Sequence, residues 1–137
     1  MKTQEKYATW CLLLGLFISG LSYWYYKKWF VTEDPFAITG HPMQTVSIKF
    51  HLVLAPLYVA LFGWIAKGHI WPRYRSLQKK GRKTGILNAL LFIVCILTGY
   101  YLQLLVSQTW SNFVAWVHVG SGVVIVIFLL WHQRVTT

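Results

Sequence analysis

The stretch Trp116–Gln133, WVHVGSGVVIVIFLLWHQ, decides the fold. It carries no acid, lysine or arginine, and a histidine stands near each end, His118 and His132, 14 residues apart. At about 100° and 1.5 Å per residue, a helix puts both rings on nearly one face, about 21 Å apart along its axis. That distance is most of the roughly 30 Å hydrocarbon core of a bilayer. A histidine at depth in a membrane helix is expensive unless something pairs with it, so each ring marks a candidate site and asks for a partner.

Composition agrees with a membrane class. Of 137 residues, 56% are apolar and 18% aromatic, and the only acids are Glu5, Glu33 and Asp34. Four apolar runs stand out: Tyr7–Tyr26, Val46–Ala66, Thr84–Val106 and Phe113–Trp131. Each has about the 20 residues a spanning helix needs, and a backbone in lipid must satisfy its own hydrogen bonds. The expected fold is therefore all-α, four transmembrane helices in an up-down four-helix bundle, with residues 1–137 forming a single domain.

The net charge of +10 invites a nucleic-acid partner, but its distribution argues against one. Seven of the thirteen basic residues lie in Lys67–Lys83, and Lys2, Lys6 and Arg134 lie near the termini. The Lys27–Lys49 connection sets three basic residues against Glu33 and Asp34, and Ser107–Asn112 has none. This positive-inside bias places both termini and the basic loop in the cytoplasm, beside anionic lipid. Lys2 and Lys6 before an apolar run resemble a signal peptide. No small-residue cleavage site follows, however, and the run ends in Tyr23-Trp24-Tyr25-Tyr26, an aromatic interface belt. Cys11 and Cys95 have neither metal-site nor c-haem spacing and read as apolar packing residues.

Depth makes the histidines converge. The first helix carries Gly15 and Gly20 and no ionisable group in its interior, and Pro35, Gly40 and His41-Pro42 mark turns in the loop after it. His51 lies about five residues into the second run, Pro56 is expected to bend that helix, and Gly68-His69 follow its apolar end. His51 and His69 are 18 residues apart, five full turns, and share a face if the helix continues. In an alternating bundle the second and fourth helices run the same way and face each other across the core. His51 then matches His118 near the outer surface, and His69 matches His132 near the inner one. Gly20 and Gly99 lie at the outer level and Gly85 at the inner, and Thr84-Gly85 precedes Thr98-Gly99 by the same 14 residues. Glycine removes bulk where a flat cofactor must lie against a helix; plain helix packing would use it equally well.

Two histidines on opposite helices suit a haem with two imidazole ligands, a centre closed to substrate and fitted for one-electron transfer. Two such haems stacked across the bilayer would carry electrons from one surface to the other. Zinc or copper is short of ligands at either level. An ion-coupled transporter would want intramembrane carboxylates, and a hydrolase an acidic partner for the serines near His118, Ser111 and Ser121. Neither is present in the spans.

His118-x3-Gly122 with His132 fourteen residues on, the Thr84-Gly85 to Thr98-Gly99 interval and His51 at matching depth resemble the small bacterial di-haem b-type cytochromes. These include the membrane cytochrome b subunits of respiratory formate dehydrogenases and hydrogenases, and the four-helix core of quinol-oxidising cytochrome b. The resemblance covers residues 7–133. It implies iron ligation by His51, His118 and His132, two b-type haems, and a place in the bacterial inner (cytoplasmic) membrane. It also implies electron exchange between quinone and a partner redox protein or larger membrane complex, as a subunit rather than a stand-alone enzyme. His69 departs from the pattern, since 18 residues span about 27 Å rather than 21 Å. A tilt, the Pro56 bend or an unwound last turn would absorb the excess. Some relatives take that ligand from the first helix, which has no histidine here, and this favours His69.

Other residues keep two readings. Arg73 and Arg75 suit either the propionates of the inner haem or anionic headgroups. Tyr100 and Tyr101 suit either the outer haem or the aromatic belt. His41 reads as a turn residue, with a quinone or partner site as the alternative. For the whole chain the alternative is a non-redox membrane scaffold or assembly subunit with incidental histidines. A quinol-oxidising enzyme would need a quinone pocket, and only His41 and Lys49 stand near the outer edge to serve one.

Overall fold

The computed structural model describes residues 3–31, 40–76 and 80–136. Glu33, Asp34, the turn expected at Pro35, and Lys79 lie outside these residues. The described chain forms α1 (Thr3–Trp29), α2 (Pro42–Ile65), a π-turn (Ala66–Ile70), α3 (Trp71–Arg75), α4 (Arg82–Tyr101) and α5 (Gln108–Thr136). No strand occurs among them. Four helical stretches are long and apolar enough to cross a membrane: Thr3–Trp29, Pro42–Arg75, Arg82–Tyr101 and Gln108–Val135. The all-α, four-span expectation holds, and the chain is a multi-pass membrane protein. Buried apolar side chains are few, with Leu13, Tyr58, Val114 and Ile125 the described ones, while Ile18, Phe50, Leu97 and Phe113 face outward as lipid-facing residues do.

The chain divides into two compact units at Trp64/Ile65. The first pairs α1 with α2. In α1 the hydroxyls of Thr9 and Ser19 donate to the carbonyls of Glu5 and Gly15, each at 2.7 Å, so neither is left unpaired in an apolar helix. The helix ends among aromatics and two lysines: Tyr25 stacks on Trp29 at 5.4 Å, and Lys27 and Lys28 sit over the Tyr23 and Trp24 rings. Gly40 lies so close to the Phe30 carbonyl that any side chain there would overlap it. His41 caps α2, its Nδ1 accepting the Met43 amide at 3.1 Å, with Pro42 at the first helical position. Three contacts set the antiparallel register of α1 and α2: His51 over Gly20, Leu54 against Gly15, and the Trp64 indole donating to Glu5 Oε1 at 3.2 Å.

The second unit holds the π-turn, α3, α4 and α5. Helical backbone does not stop at Ala66, as the apolar run alone suggests, but continues to Arg75. The π-turn lies just before Pro72, and the Trp71 amide reaches back to Ala66 O. A proline inside an α-helix clashes with the carbonyl four residues earlier, here Gly68, and one widened turn relieves that clash. The helix stops at Ser76, whose extended backbone (ψ 154°) and bond to Pro72 O close the last turn. Gly81, at φ 73°, caps α4 in a left-handed conformation that glycine adopts without strain. The third span is shorter than its apolar run: α4 ends at Tyr101, and residues 102–104 turn on bonds to the carbonyls of Thr98, Tyr100 and Tyr101. That turn brings α5 back antiparallel to α4, with Gly99 opposite His118, Gly85 opposite His132, and Ile125, 2% exposed, between the two levels.

Candidate cofactor-binding site

Three histidines sit in one recurring socket. A neighbouring helix supplies a serine or threonine followed by a glycine, and the imidazole lies over that pair. In the first unit His51 Nδ1 lies 3.0 Å from Leu16 O and 3.2 Å from Ser19 Oγ, and a side chain at Gly20 would begin 3.0 Å from His51 Cε1. In the second unit His118 Nδ1 lies 3.0 Å from Cys95 O and 3.1 Å from Thr98 Oγ1. A Cβ on Gly99 would stand 2.9 Å from His118 Cε1. His132 Nδ1 lies 2.8 Å from Thr84 Oγ1, and a Cβ on Gly85 would stand 3.1 Å from His132 Cε1. Such distances are tighter than ordinary carbon contacts, so glycine is what lets each ring come down onto the helix.

Backbone carbonyls settle which ring nitrogen carries the proton at two of the three rings, and the hydroxyls are compatible with it at all three. A hydroxyl has one proton to give. Ser19 donates it to Gly15 O at 2.7 Å, Thr98 to Val94 O at 2.8 Å and Thr84 to Gly81 O at 3.0 Å. With its proton placed there, each oxygen can accept from an Nδ1–H of the histidine. At His51 and His118 a backbone carbonyl, which can only accept, requires the same tautomer. In that tautomer the lone pair lies on Nε2, the form in which a neutral imidazole ligates a metal.

Among the described residues, no three His, Cys, Asp or Glu side chains converge where they could hold a metal ion between them. The histidines are presented one at a time. That suits a group that brings its own equatorial ligands and takes single axial ones, as haem does, and the socket supplies the outer hydrogen bond that an axial imidazole normally makes.

The other candidates fall at different places. His69 is half-buried within the π-turn. Arg73 lies within electrostatic range of His132, while the Arg75 guanidinium stacks over Trp71 at 4.6 Å. Tyr100 and Tyr101 are exposed at the end of α4. His41 stacks on Tyr26 at 4.5 Å and caps α2, which gives it a structural task. The three glycines singled out in the sequence, Gly20, Gly85 and Gly99, each lie under an imidazole, so the flat group directly over them is a histidine ring. Sequence reasoning takes the Thr-Gly pairs for their spacing and passes over Ser19. The Ser/Thr-Gly dipeptide at 19–20, 84–85 and 98–99 is the signal that would have found it. Cys95 also does more than pack, with its carbonyl on His118 Nδ1 and its sulfur 3.7 Å from the same nitrogen.

Comparison with family models, with curated proteins and with solved structures gives no match to this chain.

Proposed function

We propose that this chain is a transmembrane electron-transfer subunit holding two b-type haems, with His51, His118, His69 and His132 as the ligands. It would relay electrons across a bacterial inner membrane between quinone, or a partner redox protein, on either side. The observation that carries the reading is the threefold repetition of the socket. Three histidines on apolar helices share an Nδ1 hydrogen bond, a hydroxyl partner on the next helix and a glycine floor. Incidental histidines have no reason to acquire all three features together. Bound haem would supply a one-electron couple with both axial positions filled.

The chain's own residues do the rest. The sockets hold each ring through Nδ1, and the apolar helices would keep water from the metal. His51 is the ninth residue after Pro42, at the start of α2, and His118 the tenth after Gln108, at the start of α5. His69, in the π-turn, supplies the fourth ring, and Arg73 is the cation nearest in kind to what a propionate would seek. The basic segment Lys67–Lys83, helical as far as Arg75, and both termini are assigned to the cytoplasm on charge bias.

The test is a reduced-minus-oxidised visible spectrum of the purified protein with a pyridine haemochrome count. Two b-type haems per chain are expected. One haem would leave His51 and His118 as ligands and remove His69. A colourless protein would overturn the proposal in favour of a non-redox scaffold.

A further inference from the structure

The proposed function assigns the histidines but gives no work to the hydroxyls beneath them. Three contacts hold the Nδ1 protons, and they are not equal. Thr84 Oγ1 lies 2.8 Å from His132 Nδ1, the shortest of the three hydroxyl contacts. At His51 the serine is at 3.2 Å and shares the ring proton with Leu16 O at 3.0 Å. At His118 the threonine is at 3.1 Å and shares it with Cys95 O at 3.0 Å. A backbone carbonyl stays when a side chain is changed. At His132 the hydroxyl on Nδ1 belongs to a side chain placed by the first turn of α4, which also reaches the Gly81 carbonyl at 3.0 Å; with the ring bound through Nε2, Nδ1 carries the proton and this hydroxyl accepts it.

An acceptor on Nδ1–H draws the proton outward and makes the opposite nitrogen a better electron donor. A stronger donor favours ferric over ferrous iron and lowers the potential; second-shell hydrogen bonding is one of the levers by which a protein tunes a haem. We propose that Thr84, through its hydroxyl on His132 Nδ1, is a positioning residue that fixes this ring's tautomer and donor strength. It thereby sets the redox potential of the centre His132 serves, separately from the other. The inference rests on the haem reading given above, and Thr98 and Ser19 act in the same way at their own rings with a carbonyl in reserve.

Potentiometric titration of the full chain, as wild type, Thr84→Val and Thr84→Ser, tests this. Valine keeps the shape of threonine and removes the acceptor, so one centre should become easier to reduce by about tenfold, about 59 mV upward for a one-electron couple. The low-spin ferric EPR signal of that centre should move with it while the other stays in place. Thr84→Ser restores a hydroxyl and should return both readings toward wild type. Selective loss of one haem in Thr84→Val, recovered in Thr84→Ser, supports the inference equally, since the ligand has then been weakened to the point of release. Unchanged potentials and EPR signals in a two-haem Thr84→Val protein overturn it and leave the haem reading intact. A wild-type chain without haem overturns both.

Discussion

The two units use one device a different number of times. In the second, α4 carries two Ser/Thr-Gly pairs and α5 two histidines, each set 14 residues apart, and both sockets form. In the first, Ser19-Gly20 and His51 form one socket. Fourteen residues before Ser19-Gly20 stand Glu5-Lys6, and 14 after His51 stands Ile65. At that level the hairpin is joined instead by the Trp64 indole on the Glu5 carboxylate. An antiparallel pair of apolar helices thus forms with or without a histidine at a given level. The socket is a local triple of hydroxyl, glycine and imidazole laid on a hairpin whose packing does not need it. His69, one residue of the π-turn that follows Ile65, belongs to the second unit and lies outside the 14-residue pattern of α4 and α5.

Removing a ligand should break that comparison most sharply. If the chain holds two haems as proposed, His118→Ala is expected to remove one and leave the other, and His132→Ala to remove the other, as counted by pyridine haemochrome. Retention of both haems in either variant would sink the ligand assignment. His69→Ala sharpens it, since loss of the same haem as in His132→Ala would join the π-turn to the inner centre.

Filling the floor of a socket comes next. A methyl at Gly99 or Gly20 would stand 2.9 or 3.0 Å from an imidazole carbon, so the ring must lift. Overpacking of this kind costs about 1–3 kcal/mol. Gly99→Ala and Gly20→Ala should each lower haem occupancy at one centre on dilution, measured from the absorbance bands, whereas Gly63→Ala, with open space around its α-carbon, should leave occupancy alone.

Smaller effects test the hydroxyls and the level without a socket. Ser19→Ala removes one of two acceptors at His51 and should cost about 0.5–1.5 kcal/mol in thermal unfolding while both haems remain, the Leu16 carbonyl still holding the ring. Trp64→Phe removes the indole donor to Glu5 at a partly exposed site, with an expected loss below about 1 kcal/mol and no change in haem count or potential. A change of haem count in Trp64→Phe would mean that the two levels of the first unit are not independent.

Much of this was legible in the chain. Runs of about 20 apolar residues leave a bilayer-spanning helix little alternative, so four spans could be read from composition and length. The 14-residue intervals on α4 and α5 are helix arithmetic, and they placed Gly85, Gly99, His118 and His132 correctly along their own helices. Helix ends were harder. The third span stops at Tyr101 because its carbonyls close a turn, although Leu102–Val106 are as apolar as what precedes them apart from Gln103. The second runs on to Arg75 because a π-turn accommodates Pro72, and hydropathy carries no information about either.

The sequence by itself determined what each helix contains and how far apart its polar residues lie, because rise and rotation per residue are nearly constant. Only the tertiary structure decided what each glycine is for. A gap in a helix surface acquires meaning from the side chain that enters it, and here that is an imidazole in all three cases. It also decided the tautomer of His51 and His118, where a backbone carbonyl faces Nδ1, and it gave the protons of Ser19, Thr84 and Thr98 carbonyls to go to. Those protons are spent on carbonyls of the hydroxyls' own helices, and only then is each oxygen free to accept from a histidine on the next.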